Sequence, residues 1–231
     1  MHHTLLAGHK KTGVTLQTLD SEHFDHGVIL DQTPAPGFDI PNPDSCTVPQ
    51  LLEVVSSKST QMLVNGIRNG IFVPPLKDAG WRSSQGEKNL IHATKIKPED
   101  RHIDWKNWTL AEIFRRNRVL GPLWSMAQTG KLGVRKRVIF TEMEEVMPLA
   151  YPGDDGESTL QPGMPFLDWM VESLPGEEPE LCVRTSDSRF IRLRQLKVEG
   201  QQATDGIRAA RKADLFTPDC DGWLFFNDTL Q

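Results

Sequence analysis

Cysteine is scarce. Cys46, Cys182 and Cys220 are the three in the chain, far apart and with no C-x-x-C pair, so neither a disulfide framework nor a cysteine metal site is indicated and a reducing compartment fits. Among the histidines, His9, His23, His26, His92 and His102 form no H-x-x-x-H on a helix and no histidine–carboxylate cluster, which leaves no expected metal site. No apolar run approaches the roughly 18 residues of a membrane span, and Met1-His2-His3-Thr4 does not open a secretory h-region. Charge of neither sign dominates: 26 Lys and Arg against 31 Asp and Glu give a net charge of -5, which demands neither a basic nor an acidic partner. What remains, 231 residues of which 38% are hydrophobic and 25% charged, suits one large or two small soluble domains with a buried core. The opening is abrupt, as though the chain begins inside a domain.

The chain is organised around Gly13-Val14-Thr15-Leu16-Gln17-Thr18-Leu19-Asp20 and the following Ser21-Glu22-His23-Phe24-Asp25-His26-Gly27-Val28-Ile29-Leu30. Val14 and Leu16 alternate with Thr15 and Gln17, and Val28-Ile29-Leu30 is a short apolar run, so two strands joined by a polar loop are expected. That loop ends in Asp25 two residues before Gly27, whose freedom of backbone lets amides and a carboxylate point into a cleft at the strand ends. As a bare D-x-G the segment reads as an Asp-containing turn of no chemical consequence. His23 and His26 flank Asp25 and are expected in solvent.

Gly8-His9-Lys10-Lys11-Thr12-Gly13-Val14-Thr15, Asp20 and Phe24-Asp25-His26-Gly27-Val28-Ile29-Leu30 together resemble the second half of the folate-dependent formyltransferase domain, most of all that of the methionyl-tRNA formyltransferases. The resemblance implies that Asp25 is the acid/base residue at the formyl-transfer centre. It also implies that the loop of Ser21, Glu22, His23, Phe24 and Asp25 lines the site of 10-formyltetrahydrofolate, the formyl donor, with no metal. Ala93-Thr94-Lys95-Ile96-Lys97-Pro98-Glu99-Asp100 followed by Ile103-Asp104-Trp105 is similar to the family's A-T-K-I…I-D-W signature. Arg118-Val119-Leu120-Gly121-Pro122-Leu123-Trp124 is a drifted version of its I-R-A-x-N-P-W-P, and Leu196-Lys197-Val198-Glu199-Gly200-Gln201-Gln202 resembles its L-Q-P-A-G-K-K segment. His2-His3-Thr4-Leu5-Leu6 looks like the family's H-x-S-L-L-P, but that motif lies about twenty residues further upstream in the family. The Asn and His that share catalysis with Asp25 in the family therefore match no position here.

Between these motifs, local rules place the elements. Thr4-Leu5-Leu6-Ala7 reads as a helix end stopped by Gly8, and the Pro- and Asp-rich stretch 31–49 as a crossing loop. Thr47-Val48-Pro49-Gln50 has the form of a capping box with an early proline, opening a helix with Leu51, Leu52 and Val55 on one face. Ser56-Ser57-Lys58-Ser59-Thr60 breaks the pattern before Met62, Leu63 and Ile67, so a pair of helices ending at Asn69-Gly70 is expected over the strands. Breakers from Pro74 to Asp100 mark a linker. Thr109-Leu110-Ala111-Glu112 is a second capping box, and Gly121-Pro122 stops its helix. From Lys131 onward strands are expected, with Ser186-Asp187-Ser188 as a hairpin turn and a bulge at Arg194-Gln195, where the apolar parity switches from Ile191 and Leu193 to Leu196 and Val198.

The fold expected from residues and resemblance together is an α/β remnant of a Rossmann-like formyltransferase domain followed by a small OB-like β-barrel. Residues 1–73 would be the C-terminal part of the catalytic domain, 74–108 a linker, and 109–231 a helix plus the tRNA-binding barrel. Basic residues suggest a polyanion surface: Lys131, Arg135, Lys136 and Arg137 in one cluster, Arg189, Arg192, Arg194 and Lys197 in a second, Arg208, Arg211 and Lys212 in a third. The expected partner is initiator methionyl-tRNA, bound by a monomer without membrane. Truncated at its start, the chain would have little activity by itself. A non-catalytic RNA-binding module and a sugar-nucleotide formyltransferase of the same fold stand as alternatives. Phe24 before Asp25, and one residue more than the shorter L-D-T-G loop of bacterial members, make the loop similar to the mitochondrial members, whose transit peptide would lie upstream.

Overall fold

The computed structural model describes residues 1–23, 26–80, 93–131, 133–147, 161–168 and 180–215. Contacts divide the chain into two compact units, one running from Met1 to Lys95 and the other starting at Ile96.

The first unit is built from short pieces. Helix α1 (His2–Leu6) is closed by Gly8 at φ 67°, a left-handed position that glycine occupies without strain. β1 (Lys11–Thr12) pairs antiparallel with β4 (Phe38–Asp39), and β2 (Thr15–Gln17) with β3 (Ile29–Gln32). The expected strand pair around the polar loop is present as β2 and β3, with a register shift between Leu16 and Gln17. Helix α2 (Val48–Arg68) packs over β2 and β3. Thr47 and Gln50 close the capping box in both directions, and Asn69 and Gly70 (φ 62°) end the helix.

The expected pair of helices is in fact this single helix of 21 residues. The polar stretch Ser56-Ser57-Lys58-Ser59-Thr60 does not break it, because the Ser59 hydroxyl donates to the Val55 carbonyl one turn back at 2.7 Å, keeping the side chain's polarity inside the helical pattern. Leu51 is buried, whereas Leu52, Leu63 and Ile67 stand exposed.

In the second unit a bent antiparallel sheet of six strands carries the core. Its order is β5 (Leu123–Gln128), β6 (Arg135–Val146), β9 (Phe190–Val198), β8 (Glu180–Arg184), β7 (Pro165–Asp168), and β10 (Thr204–Asp205) pairs with β9 beside β8. β5 and β7 are the end strands, so the sheet does not close on itself among the described residues. The register between β6 and β9 slips at Thr141 and again at Arg194. Each extra residue re-aims the strand, which is how Leu193 and Leu196, three apart, are both buried. Helix α3 (Leu110–Leu120) and helix α4 (Gly206–Lys212) complete the unit. Phe140, Leu123, Val138, Ile191, Leu196 and Val198 are buried between sheet and helices, together with Ile103 and Trp105.

Ile103 and Trp105 fall inside the segment 74–108 expected as linker. From Ile96 onward that segment instead belongs to the second unit, because burying the indole against Phe140 ties it to the sheet. The indole N–H donates to the Ser125 hydroxyl at 3.2 Å, a buried pair, which satisfies both polar groups. The second expected capping box is only half formed. Thr109 accepts from the Glu112 N–H, but the Glu112 carboxylate turns away to Arg115 and Arg116, since two guanidinium partners outweigh one backbone amide.

Candidate functional site

Among the described residues two places have the chemistry of a site, and each lies within one unit. In the first unit, the loop after β2 carries Ser21, Glu22 and His23, all exposed; Phe24 and Asp25 lie outside the described residues. Asp20 organises the loop: its Oδ1 accepts the N–H groups of Glu22 and His23 at 3.0 and 2.8 Å. Those two hydrogen bonds hold the carboxyl below its ordinary range. On the far side, Thr18 and Val28 bridge the loop ends, the Thr18 N–H donating to the Val28 carbonyl and the Thr18 hydroxyl accepting from the Val28 N–H. Gly27 is required there, since a Cβ at that position would stand 1.7 Å from the Thr18 carbonyl oxygen. The hollow beneath, of about 370 Å³, is lined by residues 17 to 23. The rings of His23 and His26 are 5.3 Å apart, and no cluster of potential metal ligands occurs among the described residues.

In the second unit, cross-strand partners share a face, and this sets a basic, partly apolar surface on the outer side of β5, β6 and β9. Trp124 is opposite Ile139, and Ile139 opposite Lys197; Met126 is opposite Arg137 in the next row. The Arg137 guanidinium lies 4.1 Å over the Trp124 ring, a cation–π contact that fixes a long side chain. The Trp124 N–H donates to the Pro98 carbonyl at 3.1 Å, fastening the 3₁₀ turn Pro98–Arg101 against β5. A cavity of about 550 Å³ opens between turn and sheet, with Lys97, Arg101, Arg137 and Lys197 on its walls and Ile96, Trp124 and Ile139 beneath.

Of the basic residues singled out in the sequence, Arg137 and Lys197 meet at this cavity. Arg135 stands on the same face two residues along β6, Lys136 points to the other side of the strand, Lys131 is exposed in the β5–β6 connection, and Arg208 is exposed on α4. Arg192 and Arg194 are not available as anion ligands in the way expected. Glu144 and Glu180 pair with both; the hydrogen bond from Arg194 holds the Glu144 carboxyl below its usual range. Sequence reasoning missed Lys97 and Arg101, which were assigned to a linker; the signal was the Ile103-Asp104-Trp105 anchor that draws the preceding turn onto the sheet.

No family model matches the chain. It is similar to the mitochondrial methionyl-tRNA formyltransferase of Homo sapiens, 32% identical over 136 residues, covering 56% of this chain and 32% of that protein. The Treponema denticola methionyl-tRNA formyltransferase is 33% identical over 141 residues, covering 61% of this chain and 40% of that protein. The mitochondrial methionyl-tRNA formyltransferase of Saccharomyces cerevisiae is 26% identical over 159 residues, covering 60% and 39%. The similarity thus extends over more than half of this chain but spans only 32 to 40% of the length of these relatives. Among solved structures, a HypX variant from Aquifex aeolicus has a TM-score of 0.46 at 15% identity, covering 91% of this chain and 32% of that one.

Proposed function

We propose that this chain is the C-terminal part of a methionyl-tRNA formyltransferase, a one-carbon transferase that moves a formyl group from 10-formyltetrahydrofolate to the amino group of initiator methionyl-tRNA. The observation that carries the reading is the similarity to proteins of that name from human, yeast and bacteria. In this reading the methionyl amine attacks the formyl carbon, and a tetrahedral intermediate is stabilised as charge develops on its oxygen. Asp25 relays the proton, the loop of Ser21, Glu22, His23 and Phe24 borders the folate, and the curved sheet of the second unit, read as an OB-like barrel, holds the tRNA. The names of the human, bovine and yeast relatives support action in mitochondria, in the matrix where organellar translation starts.

The test uses two proteins: this chain alone and the parent enzyme with its catalytic Asn and His. The parent forms formyl-methionyl-tRNA, its Asp25→Asn variant binds tRNA normally but loses most turnover, because an amide keeps the shape and cannot cycle a proton. This chain alone shows negligible turnover. Normal turnover by Asp25→Asn would remove the catalytic assignment, and a cytosolic parent would remove the mitochondrial one. A second reading, a non-catalytic RNA-binding module, is favoured by the basic face being built wholly within the second unit. It predicts that this chain binds tRNA with steep salt dependence and has no folate affinity.

A further inference from the structure

We infer that the exposed face of helix α2 docks a second copy of this chain, the two helices lying antiparallel about a two-fold axis near Ser59 and Thr60. A dimer takes the place of the monomer expected from the sequence. At about 3.6 residues per turn, Leu52, Leu63 and Ile67 fall within about 60° of one another around the helix, with Val64 at the edge of the same face. All four are exposed, Leu63 by 48% and Ile67 by 57%. The face that α2 turns to its own unit is a different one, where Leu51 and Gly66 are buried. Past the turn at Gly70 the apolar surface continues in Phe72 and Val73, both more than half exposed. Single exposed hydrophobic residues are ordinary, whereas several gathered on one face mark an interaction surface.

The pattern of this face, read from end to end, fits a copy of itself. With the axis between Ser59 and Thr60, Leu52 lies beside the partner's Ile67, and Ser56 beside the partner's Leu63, so a large side chain meets a small one where the helices approach. Ser56, Ser59 and Thr60 keep the centre of the face thin. The Ser59 hydroxyl already donates to the Val55 carbonyl at 2.7 Å, so covering it strands no donor.

Charge obeys the same symmetry. Glu53 and Arg68 stand exposed near opposite ends of α2, and among the described residues neither enters an ion pair. The antiparallel pairing brings Glu53 to the partner's Arg68 and Arg68 to the partner's Glu53, the reciprocity that an isologous contact requires. A parallel pairing would set acid on acid and base on base. Antiparallel helix dipoles add to the preference. An unrelated helix could cover the apolar stripe, but nothing would make its charges repeat this order.

The experiment is analytical ultracentrifugation of the full 231-residue chain. Over a roughly hundredfold range of concentration the mass rises from one copy toward two. Leu63→Asp/Ile67→Asp, at positions open to solvent in the single chain, stays at one copy with a wild-type circular dichroism spectrum. Glu53→Arg and Arg68→Glu each weaken association roughly tenfold, because either change sets like charges together at both ends of the pair. Mixed in equal amounts, these two variants recover the wild-type constant, and so does Glu53→Arg/Arg68→Glu in one chain. A mass of one copy at every concentration overturns the proposal and leaves the face to a different chain. A dimer that survives Leu63→Asp/Ile67→Asp overturns the face, and a mixture as weak as its components overturns the antiparallel pairing. Neither tRNA nor folate enters the measurement, so the proposed function does not fall with it.

Discussion

Asp187 sits at the tip of the β8–β9 hairpin, yet it works on α3. Its Oδ1 accepts the Leu110 N–H at 3.0 Å and the Thr185 hydroxyl at 2.6 Å, so a turn residue caps a helix that begins 77 positions earlier. Burial alone would raise this carboxyl. The hydrogen bonds from Thr185 and Leu110 outweigh it and hold it below its ordinary value of 3.8. A depressed carboxyl stabilises the fold in full above its unfolded value and loses that contribution as pH falls through the folded one. Asp187→Asn is thus expected to melt lower than wild type at pH 7, by roughly 0.5 kcal/mol given its solvent exposure, and the two melting curves converge as pH falls through the depressed folded value, on the acid side of 3.8. Thermal melts followed by circular dichroism across that range check it; a constant gap at every pH would show that charge is not involved. The sequence marked Ser186-Asp187-Ser188 as a turn and could not show this role, because the partner is remote.

Elements were legible where the deciding contacts are local. The Thr47 cap with Gln50, the Gly8 and Gly121 stops and the bulge at Arg194 depend on neighbours within a few residues, and each lies where the pattern placed it. Errors came where one side chain had two options. Ser59 satisfied itself on Val55 and let α2 run through, and Glu112 chose Arg115 and Arg116 over the backbone. Thr47→Ala removes an acceptor from the Gln50 N–H and leaves the Gln50 side chain with no hydroxyl partner. The first unit is expected to lose about 1 kcal/mol, read from urea unfolding, with Thr47→Ser restoring it; no loss in Thr47→Ala would mean that Pro49 and packing alone start the helix.

At the scale of the molecule, two units carry unequal cores. Leu5, Ile40, Cys46 and Leu51 are the fully buried hydrophobic side chains of the first among its described residues, against an extended cluster through sheet and helices in the second. The first unit's strands are two to four residues long and pair only two by two, which leaves backbone groups near solvent. Hydrogen exchange is expected to be fast for residues 15–23 and 26–30 and slow from 183 to 198. Equal protection in both would argue that the first unit is a complete domain. Charge was the least legible property at this scale. Lys and Arg look alike in a sequence, and only strand register shows that Arg192 and Arg194 face Glu144 and Glu180 while Arg137 and Lys197 face an acid-free hollow.

The indole of Trp124, with Arg137 over its ring and its N–H on the Pro98 carbonyl, is also an optical element. Its emission answers to the cation on its face and to the carbonyl on its N–H, so anything that draws Arg137 away changes the spectrum without an added label. Trp108 carries a similar lid, with Arg116 at 4.2 Å, but that arginine is tied to Glu112 and gives a constant background. Trp105 is sealed in the core. Among the tryptophans described in the structure, the one whose light would vary with occupancy of the basic cavity is the one that lines it.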